Sequence, residues 1–179
     1  QALSGSAADL VLAFAGDVTT HAAQVTIEDV PNVAQLKTIN NATSGNIVLS
    51  TAGQNYSGSA ADLAVAFAGT INSSGDITIT DAPNVAQLKT INAGTTGDIT
   101  LDVTNGALSG SAADLVLAFA GNVTTHTGGV TITDAPNVAQ LKTINAATTG
   151  DITLDVTNGA LSGSAADLVL AFAGNVTTH

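Results

Sequence analysis

Cysteine is absent from the sequence, and with it go disulfides, cysteine-ligated zinc sites and thiol catalysis. Methionine and tryptophan are also missing, and the aromatic complement is Tyr56 and four phenylalanines. Positive charge is scarce: three lysines stand against fourteen Asp and Glu, for a net charge of −11. That balance argues against nucleic acid and anionic membrane surfaces as partners, because both need Lys or Arg to neutralise phosphate. Long apolar runs are lacking too. The run Leu115 to Ala120 and its copies fall far short of the ~20 residues that cross a bilayer, so no membrane insertion is expected. Neither a secretory leader nor an initiator Met is visible. The expectation is an excised segment whose targeting information lies elsewhere.

What the chain does contain is repetition. The phrase ALSGSAADLVLAFAG occupies 2–16, 107–121 and 160–174, and the variant NYSGSAADLAVAFAG occupies 55–69. A second phrase, PNVAQLKTIN, begins at Pro31, Pro83 and Pro136. The chain therefore reads as one repeat domain over 1–179, with units 2–54, 55–106 and 107–159 and a partial unit 160–179. The second unit is one residue short between Gly69 and Ile77. Repeat arrays close with atypical polar caps, and neither end here is atypical, so an interior slice of a longer array is expected.

One unit shows how each phrase should fold. Val130-Thr-Ile132-Thr alternates apolar and polar residues, the pattern of a half-buried strand. Asn137 and Gln140 form an N-x-x-Q capping box after Pro136. The helix they open carries Val138, Leu141 and Ile144 on its core stripe, with Gln140 and Lys142 opposite, and ends at Thr149-Gly150. Ile152, Leu154 and Val156 mark a second strand, followed by turn signals at Asn158-Gly159 and Ser162-Gly163. Ser164 with Asp167 caps a second helix over 165–173, which Gly174 stops. Strand–helix–strand repetition implies parallel pairing and a right-handed coil. The alternation leaves one sheet face wet. The predicted class is α/β: a right-handed β/α solenoid of 53-residue strand–helix–strand–helix repeats, with one parallel sheet and helices on one side. Strands stack ~4.8 Å apart and helices need ~8–10 Å. Two offset helix columns, one per helix type, would make a nearly straight rod possible, whereas a single column would curve.

Candidate sites are few. His21, His126 and His179 share one repeat position, with Asn72 nearest in the second unit. Copies about 9.6 Å apart cannot share a zinc ion held at ~2.1 Å, so these read as loop histidines. The wet face carries Thr78, Thr80, Asp98, Thr100 and Asp102 in one unit and Thr131, Thr133, Asp151, Thr153 and Asp155 in the next. Aspartates four apart on one strand lie roughly 13 Å apart, too far to share calcium. No cofactor is expected, with calcium on this face a minor alternative. Regular threonine ranks resemble the faces of ice-binding solenoids, although aspartates interrupt them. Leu12, Val65, Leu117 and Leu170 lie opposite the core stripes of their helices. Contacts between stacked helices account for such arcs, and the alternative is a lateral interface. No nucleophile–base set and no phosphate loop is present, so an enzyme is not expected.

The architecture resembles leucine-rich-repeat and other β/α solenoids, but Thr157 stands where that family's ladder asparagine would be. The phrases LSGSAADLVLAFAG and NVAQLKTINAATTGDITL resemble repeats of very large secreted, adhesin-like surface proteins of marine bacteria, notably cyanobacteria. That resemblance implies an extracellular or cell-surface location. The expected function is a structural module of a filament or adhesin whose partner is itself, stacked head to tail and possibly bundled. The alternative is a module binding ice or polysaccharide through the Thr/Asp face.

Overall fold

The computed structural model describes residues 1–16, 18, 21–101, 106–154, 160–174 and 176–177. Strands and helices alternate along them. β1 (Leu3–Gly5), α1 (Ala7–Phe14), β2 (Val25–Ile27), α2 (Val33–Ala42) and β3 (Ile47–Leu49) come first. β4 (Tyr56–Gly58), α3 (Ala60–Ala66), β5 (Ile77–Ile79), α4 (Val85–Gly94) and β6 (Ile99–Leu101) follow. β7 (Leu108–Gly110), α5 (Ala112–Ala118), β8 (Val130–Ile132), α6 (Val138–Ala147), β9 (Ile152–Leu154), α7 (Ala165–Ala171) and β10 (Val176–Thr177) complete the series. Expected Asp102, Asp155, Val156, the Asn158-Gly159 turn and His179 lie outside the described residues.

The helices start where their caps dictate. Ser6, Ser59, Ser111 and Ser164 each accept the backbone N–H of the aspartate three residues on. Asn32, Asn84 and Asn137 form complete capping boxes with Gln35, Gln87 and Gln140, satisfying two orphan donors at once. The helix expected over 165–173 is shorter than its sequence signals. It stops at Ala171, where the Phe172 N–H turns back to the Leu168 and Leu170 carbonyls. Gly174 follows in the left-handed region with φ +107°.

Among the described residues all strand pairing is parallel. The single sheet expected from the sequence is there divided into three: β1-β2-β3, β4-β5-β6, and β7-β8-β9-β10 in that spatial order. The register shows why. Ile47 in β3 pairs with Val25 on one side and bridges Ile71 on the other. The same stretch of chain then supplies β4, which pairs with β5 only six residues beyond Ile71. Ile99, Val123 and β7–β8 repeat the step. Each sheet therefore ends after a few strands, and the next begins displaced along the strand direction.

Strand residues alternate as predicted: Val25, Ile27, Ile77, Ile79, Val130, Ile132 and Ile152 are buried, and the threonines between them are half-buried or exposed. These join Leu36, Ile39, Leu63, Leu88, Ile91, Leu115, Leu141 and Ile144 from the helices in one continuous core. Each helix packs on the next in chain order from α1 to α7, so the helices form one connected series. Backbones approach closest at Gly45, Gly75, Gly97 and Gly150, where an added Cβ would lie about 2 Å from the carbonyl oxygen of Ala23, Gln54, Gly75 and Gly128 respectively.

Candidate interaction surfaces

The α2–α3, α4–α5 and α6–α7 junctions carry the same polar contacts. Lys37, Lys89 and Lys142 reach the N-terminal aspartate of the following helix, Asp62, Asp114 and Asp167, at 2.5, 2.5 and 2.9 Å. The lysine's hydrogen bond and charge hold each of these carboxyls below the usual range, with Ser59, Ser111 and Ser164 assisting. At the other end of each junction an asparagine amide caps the next helix. Asn40 Nδ2 donates to the Val65, Ala66 and Ala68 carbonyls. Asn92 does so to Leu117, Ala118 and Ala120, and Asn145 to Leu170, Ala171 and Ala173. Helix C-termini leave carbonyls without intrahelical partners, so one side chain here serves as the cap of a neighbouring helix.

Turn aspartates close the opposite end. Asp29, Asp81 and Asp134 accept the first backbone N–H of α1, α3 and α5 at 2.7, 2.6 and 2.7 Å. Thr95 and Thr148 act as corner posts. Thr95 Oγ1 donates to the Gly75 carbonyl and accepts the Gly97 N–H, while Thr148 Oγ1 donates to His126 O and accepts the Gly150 N–H. None of these pairings was drawn from the sequence. A signal for the first was present: each lysine lies 25 residues before its aspartate in all three cases.

Of the wet-face residues, Thr78, Thr100, Thr131 and Thr153 lie at the middle of their strands, while Thr80, Asp98, Thr133 and Asp151 flank the strand ends. Ser57, Thr78 and Thr100 are in register across one sheet, as are Ser109, Thr131 and Thr153 across another. Thr80, Asp98, Thr100, Thr133, Asp151 and Thr153 are exposed, whereas Thr78 and Thr131 are half-buried. Asp98 engages its lateral neighbours, taking the Asn122 amide at 2.8 Å and giving its own N–H to Asp76 at 3.0 Å. No group of three metal-ligating side chains occurs among the described residues.

Of the helix residues singled out, Leu12, Leu117 and Leu170 are 70, 53 and 51% exposed, and Val65 is half-buried. Leu117 borders a cleft of about 560 Å³ with Lys89, Asn92, Ala93 and Thr96.

His21 and His126 lie outside the named strands and helices, as loop positions do, but His126 is buried. His126 is 1% exposed and bridges Thr148, just as His21 bridges Thr43 and Ser73 bridges Thr95. Ser73, not Asn72, is therefore the counterpart of the histidines. Asn72 Oδ1 accepts the Leu49 N–H, the role Thr124 Oγ1 plays for Leu101. Both His126 ring nitrogens lack a hydrogen-bond partner. Burial pushes its imidazole below the usual range, opposed weakly by the Gly129 backbone.

No protein-family model matches the chain, and no match is found among curated proteins or solved structures. The reading of function accordingly rests on these surfaces alone. Among the described residues no helix is long and apolar enough to cross a membrane.

Proposed function

We propose that the chain is a non-catalytic structural module of an extracellular filament or cell-surface adhesin, a right-handed β/α solenoid of 53-residue units that stacks head to tail. The observation that carries this reading is the junction itself. The same lysine–aspartate pair and asparagine cap recur at α2–α3, α4–α5 and α6–α7. Length can then grow by adding copies of one interface, as in other repeat arrays. The stepping of the sheets supports a rod. A shift along the strand direction, added to the ~4.8 Å strand spacing, lets successive helices approach the ~8–10 Å that their packing needs. Sedimentation and negative-stain microscopy over a concentration series test the proposal. Rods that lengthen with concentration are expected, and a chain that stays monomeric at the highest concentration would sink it.

The in-register Ser/Thr ranks favour a second reading, a module that binds ice or polysaccharide through this face. Thr100→Leu with Thr153→Leu, both at exposed positions, should then abolish thermal hysteresis or glycan retention without lowering the melting temperature.

A further inference from the structure

We infer that α7 occupies a docking site for α1 of a second copy, so that head-to-tail growth proceeds by exchange of one segment for its duplicate. The inference rests on the stacking proposed above and names the contact that makes it. Each Ser-capped helix has two flanks. On α3 and α5 one flank takes the lysine and asparagine of the preceding helix, and the other packs on the following helix, as Phe67 does on Gly94. α1 packs on α2 by the second kind of flank. Its first flank carries Asp9 and the exposed Leu12. Asp9 is the one such aspartate with no lysine on it among the described residues.

The complementary surface exists once in the chain outside the two internal junctions: the face of α6 that presents Lys142 and Asn145. Its occupant is α7, held by Lys142–Asp167 and by the Asn145 amide on the Leu170, Ala171 and Ala173 carbonyls. Residues 2–16 and 160–174 are identical in sequence. Asp9, with the carbonyls of Leu12, Ala13 and Ala15, would meet Lys142 and Asn145 as Asp167, Leu170, Ala171 and Ala173 do. The strand layer agrees, since Val176 pairs with Ile152 and the half-exposed Val18 is its duplicate. Simple apposition of α1 against the free flank of α7 offers none of this, because neither helix carries a lysine or an asparagine amide. The two ends are thus complementary by substitution and not by end-on contact.

Competition with its own α7 makes assembly of the unmodified chain weak and concentration-dependent. Full-length chains are compared by sedimentation at low ionic strength: unmodified, Asp167→Lys, Asp9→Lys, and the double variant. Asp167→Lys sets two lysines against each other and frees the α6 face, so the association constant should rise about three- to fivefold. Asp9→Lys should lower the association constant by about the same three- to fivefold, and the double variant, in which the two competitors match again, should return to the unmodified value. Circular dichroism and thermal melts check that every variant folds. Assembly that is indifferent to Asp9 overturns the exchange while leaving head-to-tail stacking standing. Absence of assembly in both the unmodified chain and Asp167→Lys overturns the two together.

Discussion

Phe67 and Phe119 occupy the same place, each the C-cap of a Ser-capped helix, yet each is packed by different means. Around Phe119 the ring partner is His126, at 5.8 Å between centroids and 47° between planes. Phe67 has Tyr56 instead, edge-on at 5.4 Å and 77°. The position of His126 is taken by Ser73, and the segment leading to it is one residue shorter, running Ile71 to Ser73 against Val123 to His126. Where α6 ends in Ala147, α4 ends in Gly94, whose added Cβ would lie 2.8 Å from Phe67 Cβ. Positions 56, 73 and 94 are distant in sequence but surround one phenylalanine. A close-packed interior transmits a volume change to its neighbours, so these substitutions are best read as one compensated set.

The strongest way to break the comparison is to mix the two sets. Ser73→His restores the histidine while Tyr56 still packs on Phe67, and should cost about 2 kcal/mol by overpacking. Adding Tyr56→Leu, the residue found at Leu108, should return part of that loss. In urea unfolding the double variant should then be more stable than the sum of the singles by over 0.5 kcal/mol. Additive effects would mean that the two positions are independent. Next in size is Gly94→Ala. Helix propensity alone favours alanine by roughly 1 kcal/mol, but Phe67 stands against the new methyl group, so net destabilisation of about 1 kcal/mol is expected. The same alanine is already present at Ala147, so the contrast isolates the neighbour from the helix.

How much of this was legible follows the range of each interaction. Caps and alternation act within a few residues, and they located the Asn137–Gln140 capping box, the Ser164 cap and the strands at Val130 and Ile152 from the sequence. The sheet break was not legible, because it depends on which strand lies beside β3 and β4, a long-range choice that leaves no local pattern. The burial of His126 was not legible for a related reason. A bridge to Thr148 across 22 residues turns what the sequence presents as a polar turn into a buried position. The lysine pairs could have been read from their constant spacing, but each partner had an adequate local role, as exposed helix face or as N-terminal acid, that concealed the pairing.

The titration of His126 separates the regions in a second way. Its folded-state value is lowered by burial, so its contribution to stability is complete above the unfolded value near 6.5 and is lost as pH falls towards the folded one. The slope that this residue adds cannot exceed about 1.4 kcal/mol per pH unit. The region around Ser73 has no such group. Unfolding midpoints should therefore fall as the pH drops below about 6.5 in the unmodified chain and fall less in His126→Leu. The lysine-paired aspartates, whose values are lowered, lose their contribution only in the carboxylate range further down. An unchanged slope in His126→Leu would assign the acid sensitivity to another group.

The smallest effect is expected where the regions agree. Lys37, Lys89 and Lys142 are all about two-fifths exposed and meet their aspartates in the same way. Exposed pairs contribute little because solvent screens them. Lys→Met at each site keeps the aliphatic stem over the helix and removes only the charge, so each melting temperature should move by less than about 2 °C. The three shifts should be equal and should vanish in high salt. A larger shift at Lys37, the residue that anchors α3, would show that the compensated set around Phe67 extends out of the core into the junction. Equal shifts would confine the difference between the regions to the packing of one ring.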